Sequence, residues 1–306
     1  MHSRVEELLS VANKQYSDIF GKIEHTHTIN GVDVNLRFKY IQFDPNGDPK
    51  ISLLVDTLVS YFTHYCFSAQ KRNIDSDLPS TEQERLRNKL QTEARKLFRK
   101  WVNGSSTSGE AGEMILWFLL EAVLKAPQIV AKMDLKTNPQ LESFGSDGIH
   151  MKIIDDILNI YFGEAKLYQD AGRALNSIFE SIESFHKNGL DRHEYNMVTT
   201  HFKYLNEDEQ KKVYDFIIDR INTQEIRVNH ACLVGYDWKE YQKLGTADRE
   251  SFINDFEELY KSDTERLTKL IQTRFDKFSK KHLHFEVFFL PFKSVQELRN
   301  KFNEEL

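Results

Sequence analysis

The 306-residue sequence predicts a mixed α/β fold, a sheet flanked by helices behind a mostly helical N-terminal region. Three observations carry that reading. Segments 32–43, 148–168, 226–236 and 283–290 are rich in β-branched and aromatic residues bounded by turn formers, as strands are. Segments 81–102, 170–186 and 247–278 place apolar residues at helical spacing. In the second half strands and helices interleave, the order expected of a sheet buried on both faces.

Taken in order, residues 4–20 read as a short amphipathic helix, and VDVNLRFKYIQF at 32–43 alternates like a strand. Asn46-Gly47-Asp48 between two prolines marks a turn. Residues 50–70 predict a long helix, apolar almost all round and therefore buried. After a polar break at 75–80, helix 81–102 carries an apolar stripe of Leu86, Leu90, Ala94, Leu97, Phe98 and Trp101. Its other faces hold Arg85, Arg87, Lys89, Arg95, Lys96, Arg99 and Lys100, which suit either solvent or a phosphate backbone. The run NGSSTSG at 103–109 is the clearest joint, dividing an N-terminal α/β region (1–103, a candidate partner-binding part) from a second domain (104–306). Within the latter the expected order is helix 110–125, strand 128–133, a loop at 134–146, a strand pair at 148–168 and helix 170–186. Helix 207–221, strand 226–236, helix 247–278, strand 283–290 and a terminal helix from Ser294 complete it.

Apolar residues make up 40% and charged residues 29%, the balance of a soluble protein with many exposed helices. The longest apolar run, 114–120, is too short to cross a bilayer. The charged, amphipathic N-terminus does not read as a signal peptide, so a cytoplasmic protein is expected. Cys66 and Cys232 stand alone without ligand spacing, which argues against a disulfide framework and a zinc site. The net charge of −6 argues against nucleic-acid binding by bulk electrostatics, although a local groove suffices; the acidity points to help from a partner or a metal ion. No glycine-rich phosphate loop, GxSxG or cysteine–histidine pair occurs. His25 with His27, His193 with Glu194 and His282 with His284 lack further ligands, and surface or structural roles are expected of them.

The most informative stretch is SDGIHMKIIDDILNIYFGEAKLY. With Asp155-Asp156 as a two-residue hairpin turn, facing residues have numbers summing to 311, and Asp147 comes opposite Glu164. Cross-strand neighbours have Cβ atoms roughly 5 Å apart. Alternation puts Lys166 on the face of Glu164, and Ala165 on the other. That face also carries Ile149, Met151, Ile153, Leu158, Ile160 and Phe162, so it is apolar until three charged groups cluster at its open end. Two carboxylates beside an ammonium can hold a divalent cation and steer a water molecule; an ordinary salt bridge of Lys166 with Glu164 at a sheet margin is the plain alternative. Glu110 and Glu113 share one face of the preceding helix. Thr107-x-x-Glu110 reads as a capping box, whereas Glu113 sits in an otherwise apolar helix and needs a partner. Tyr168 and Gln169, just past the lysine, are placed either to touch DNA or to pack.

On these residues the chain resembles the PD-(D/E)xK, restriction-endonuclease-like nucleases. Asp147 matches the motif aspartate, although Ser146 stands where the proline would be; Glu164-Ala165-Lys166 matches E-x-K. The resemblance implies a restriction-endonuclease-like mixed sheet. It further implies that Asp147, Glu164 and the Ala165 carbonyl bind Mg²⁺, or Mn²⁺ in its place, and that Lys166 positions water and stabilises charge. Glu113, ahead of Glu110, would be the helix carboxylate of the catalytic set. Segments GEAGEMILWFLLEAVLKAPQIVAKMDLKT and GSDGIHMKIIDDILNIYFGEAKLY resemble, more closely, the small effector subunit of the Hachiman anti-phage defence system. That resemblance implies a bacterial, cytoplasmic, Mg²⁺-dependent deoxyribonuclease acting on DNA and controlled by a large helicase subunit. A catalytically silent nuclease-fold scaffold regulating a helicase, and a stand-alone nuclease of RNA or single strands, are the rival expectations.

Overall fold

The computed structural model describes residues 8–102, 109–130, 146–155, 157–187, 226–244 and 249–306. Its strands are β1 (Phe20–Ile23), β2 (Asp33–Ile41), β3 (Gly148–Ile154), β4 (Ile157–Tyr168), β5 (Ile226–Asp237) and β6 (His284–Phe292). Its helices are α1 (Asn13–Ile19), α2 (Ile51–Ser60), α3 (Phe62–Cys66), α4 (Ala69–Arg72), α5 (Ser80–Val102), α6 (Glu110–Leu119), α7 (Ala171–Lys187), α8 (Arg249–Phe275) and α9 (Val295–Glu304).

Among the described residues one six-stranded mixed sheet runs β1-β2-β6-β5-β4-β3. The four central strands are mutually parallel, and β1 and β3 close the edges antiparallel. Central parallel strands are covered on both faces and so need apolar side chains on both. Accordingly, Leu233, Phe288 and Leu290 pack on one face with α2, α3, α6 and α9. Val234, Val287, Phe289 and Phe38 pack on the other with α7 and α8. The sheet crosses the joint expected near residue 103: β2 pairs with β6 from Asp33↔His284 to Phe38↔Phe289, and Phe62 and Phe98 share a core cluster with Trp117 and Phe302. No helix among the described residues is long and apolar enough to cross a membrane.

The hairpin has the expected register. Gly148↔Gly163 through Ile154↔Ile157 all sum to 311, and Asp155 takes the left-handed φ of +49° that the two-residue turn requires and Asp tolerates. Both its faces are buried, not only the apolar one: His150 bonds the Ala126 carbonyl at 2.8 Å, and Asn159 is 3% exposed.

Elsewhere the local structure departs from the sequence reading. Within the described part of 4–20 only α1 is helical, and β1 follows it directly, with Gly21 accommodating the ring of Tyr40. The helix expected over 50–70 breaks at Tyr61 (φ −98°, ψ 2°) and again after Cys66. Ser60 Oγ donates to the Thr57 carbonyl at 2.6 Å, a back-bond that loosens a helix end. The helix from Glu110 ends in a π-turn, Leu120–Leu124, closed by Lys125 at φ +56°. There the carboxylate of Glu121, fully buried, accepts the N–H groups of Ser10 (2.6 Å), Val11 (3.2 Å) and Gln128 (3.4 Å). The strand expected at 128–133 appears as isolated bridging alongside β3, Gln128↔His150 among it; its residues 131–133, helix 207–221 and the His193–Glu194 pair lie outside the described residues. At the C-terminus Ser294 caps α9, accepting the Glu297 N–H at 3.2 Å.

Candidate active site

The site forms where the β-hairpin opens. β4 runs on past the start of β3, so among the described residues its outer edge offers backbone groups with no strand partner. Asp147 takes them: its N–H donates to the Gly163 carbonyl at 2.7 Å, and its Oδ2 accepts the Ala165 N–H at 2.7 Å. Asp147 therefore straddles Glu164, the residue it was expected to face. One residue further, Lys166 Nζ lies 2.6 Å from Glu164 Oε1, with side-chain exposures of 25% and 10%.

A third carboxylate approaches from the first turn of α6. Glu113 Oε2 accepts the hydroxyl of Tyr65 at 3.1 Å, and Tyr65 comes from α3, in the N-terminal region. Close packing of α6 against β4 makes this approach possible. Gly112 lies against Leu167 and Ala165, and Gly163 against Leu116, where added Cβ atoms would sit 3.1 Å from the leucine side chains. Glu110 is buried at the start of α6, whose N-cap is Gly109 with no side-chain cap bond; Thr107 lies outside the described residues.

The electrostatics bind these groups into one cluster. Desolvation holds the Asp147 carboxyl well above the usual carboxylate range, reinforced by the charges of Glu164 and Glu113 and opposed by Lys166 and the Ala165 N–H. Burial would lower the Lys166 pKa, but Glu164 and Asp147 outweigh it and raise the ammonium above its ordinary value. Tyr65 is pushed far up by burial, then by Glu113 and Asp147, so it remains a hydroxyl donor. Cys232, beside Glu164 in the β4–β5 register, is pushed up by burial and then by Glu164; a thiol so placed is not a nucleophile.

Three carboxylates and one ammonium are therefore linked: Glu164 and Asp147 act on Lys166, and Glu113 acts on Asp147. All the donors are hard oxygens, which is the chemistry that Mg²⁺ and Mn²⁺ select. As the side chains stand, Lys166 is paired with Glu164, and among the described residues no three His, Cys, Asp or Glu are arranged to hold a metal ion. The cluster lies toward the carboxyl ends of the parallel strands, where open α/β sheets place their ligands. A cleft of about 610 Å³ opens beside Lys166.

His25, His27 and His284 have structural partners. His25 Nε2 bonds the Leu36 carbonyl and His27 Nε2 the Thr264 hydroxyl, each at 2.9 Å. His284 lies between Asp33 (3.0 Å) and Glu286 (3.2 Å), and Glu286 also pairs with Arg37 at 2.7 Å. Tyr65 is the member of the cluster that sequence reasoning missed, because it reads as one more apolar position of a buried helix. On α5, Arg85 is paired with Glu82 at 2.6 Å and Lys89 approaches Glu93 at 4.0 Å, as on a solvated face.

A family model described as HamA matches residues 15–306, nearly the whole chain. No curated protein matches it.

Proposed function

The chain belongs to the HamA family, the subunit family of the Hachiman antiviral defence system, and from that premise we propose that it is the system's metal-dependent deoxyribonuclease, hydrolysing phosphodiester bonds under the control of a large helicase partner. The observation that carries the reading is the convergence of Asp147, Glu164, Lys166 and Glu113 at one end of the β3–β4 hairpin, with their charges coupled. The order and spacing of these residues resemble those of the PD-(D/E)xK nucleases, which supports giving them the same roles.

In this reading Asp147, Glu164 and the Ala165 carbonyl would hold Mg²⁺, with Glu113 completing the acidic wall. The bound ion supplies Lewis-acid polarisation of the phosphate and a water of lowered pKa. The protein's own groups do the rest. The Ala165 N–H fixes the rotamer of Asp147. Tyr65 orients Glu113 from behind. Lys166, kept fully cationic by Glu164 and Asp147, sits where it can hold a water and offset negative charge growing on a scissile phosphate.

The test is plasmid DNA incubated with the purified chain, alone and with its helicase partner, in Mg²⁺, Mn²⁺ or EDTA. The proposal expects cleavage in either metal and none in EDTA, with the partner changing the rate. Cleavage undiminished in EDTA refutes metal dependence. No cleavage under any condition, with the partner's helicase activity altered by the chain, marks it as a scaffold instead.

A further inference from the structure

The cleft beside Lys166 is a cationic pocket on an acidic protein. Its walls include Lys166, Tyr168 and Gln169 from the end of β4, Arg173 from the first turn of α7, and Gln296 and Arg299 from α9. Among the described residues no Asp or Glu lines it, although the chain as a whole carries a net charge of −6. A local cluster of this kind concentrates anions irrespective of the overall charge.

Of the two arginines, Arg173 is the one open to a ligand. Arg299 Nη2 donates to the Leu167 carbonyl at 2.7 Å, which pins the guanidinium to the end of β4, and its Nε is buried, so Arg299 contributes fixed positive charge to the cleft wall. Arg173 is exposed and enters no ion pair among the described residues; only its backbone is engaged, capped by Asp170 at 2.9 Å. A guanidinium fork with unused donors matches phosphate oxygens.

The third component is aromatic. Among the described residues the large apolar side chains left exposed are Leu53, Ile154 and Tyr168, and Tyr168 is the aromatic one. It lines this cleft, with its hydroxyl 3.5 Å from Ser177 Oγ of α7. An exposed ring between phosphate-binding cations is how proteins seat single strands, because only an unstacked base offers its face.

We propose that this cleft is a single-strand track. On the nuclease reading, on which this inference rests, a single-stranded nucleic acid enters or leaves the Asp147–Glu164–Lys166 centre along it, with Arg173 on its phosphates and Tyr168 against a base. The strand chemistry is shared by DNA and RNA, so both are probed.

The experiment measures binding by fluorescence anisotropy of labelled dT20, rU20 and a 20-base-pair duplex to the full chain carrying Glu164→Gln, which removes cleavage. Further substitutions are Arg173→Ala, Tyr168→Ala and Tyr168→Phe. The expected result is about tenfold weaker binding of the preferred single strand with Tyr168→Ala, near-parental binding with Tyr168→Phe, and no effect of either on the duplex. Arg173→Ala weakens binding and lowers the slope of log affinity against log salt by about 0.7, one single-strand phosphate contact. Arg173→Ala and Tyr168→Ala proteins that bind like their parent overturn the track, as does equal loss on duplex and single strand. Normal cleavage with cleft-independent binding sinks this inference and leaves the active-site reading standing. Cleft-dependent binding by a wild type that cuts nothing does the reverse.

Discussion

Replacing Asp147 with Asn isolates the charge conflict at the centre of the site. Asn keeps an oxygen to accept the Ala165 N–H but removes one negative charge from a cluster of three carboxylates and one ammonium. Asp147 faces two repelling carboxylates and one attracting ammonium, leaving the equivalent of one uncompensated repulsion. At a spacing of about 5 Å and an effective dielectric of about 20 this is worth ~3 kcal/mol. The weaker hydrogen bond to a neutral amide gives back about 1 kcal/mol. Asp147→Asn should therefore stabilise the metal-free protein by about 2 kcal/mol, or roughly 4 °C in thermal unfolding. The effect has a definite pH sign. The folded-state pKa of Asp147 is raised, so its contribution is present below the unfolded value and lost as pH rises through the folded value. The variant's advantage must open as pH rises and close in acid. On the proposed role of Asp147 as a metal ligand, adding Mg²⁺ should reverse the ranking, since a ligand at 100 times its Kd adds about 2.7 kcal/mol to the form that binds it. An Asp147→Asn protein less stable than wild type in EDTA at neutral pH, or one stabilised equally by Mg²⁺, refutes the reasoning.

Tyr65→Phe removes the hydroxyl donated to Glu113 and should lower stability by about 1–2 kcal/mol, read as a fall of a few degrees in thermal unfolding. Glu121→Ala strands the buried amides of Ser10 and Val11 at a cost of about 2–4 kcal/mol; limited trypsin digestion should then cut at Lys14 faster than in wild type. His284 is held above its ordinary pKa, burial being outweighed by Glu286 and Asp33. Its contribution to stability is full below about pH 6.5 and is lost as pH rises through the folded value, so His284→Gln should flatten that decline in an unfolding-temperature profile against pH.

What the sequence makes legible is what local physics decides. Alternation and a two-Asp turn fix the hairpin register, because a one-residue slip would turn Ile149, Met151 and Ile153 to the wrong face. The same logic locates α7, β5, α8, β6 and the Ser294 cap within a few residues. The four-residue β1, the break at Tyr61 and the π-turn at Leu120–Leu124 are settled by tertiary partners such as Tyr40 and the Ser10–Val11 amides, which leave no local periodicity. Pairing of β2 with β6 joins residues some 250 apart, and this is why a flexible-looking run at 103–109 reads as a boundary although the sheet spans it. In the site, Asp147, Glu164 and Lys166 are visible as a spaced motif on one hairpin. Tyr65 is not, since nothing in an apolar helix distinguishes the one hydroxyl that meets Glu113 from its buried neighbours.

The account turns on whether these coupled charges hydrolyse phosphodiesters. Plasmid cleavage in Mg²⁺ by wild type, Glu164→Gln and Lys166→Ala, with unfolding temperature recorded for each, tests it most directly. Both substitutions should abolish cleavage while the proteins stay folded. Folded variants that cut as fast as wild type would contradict it.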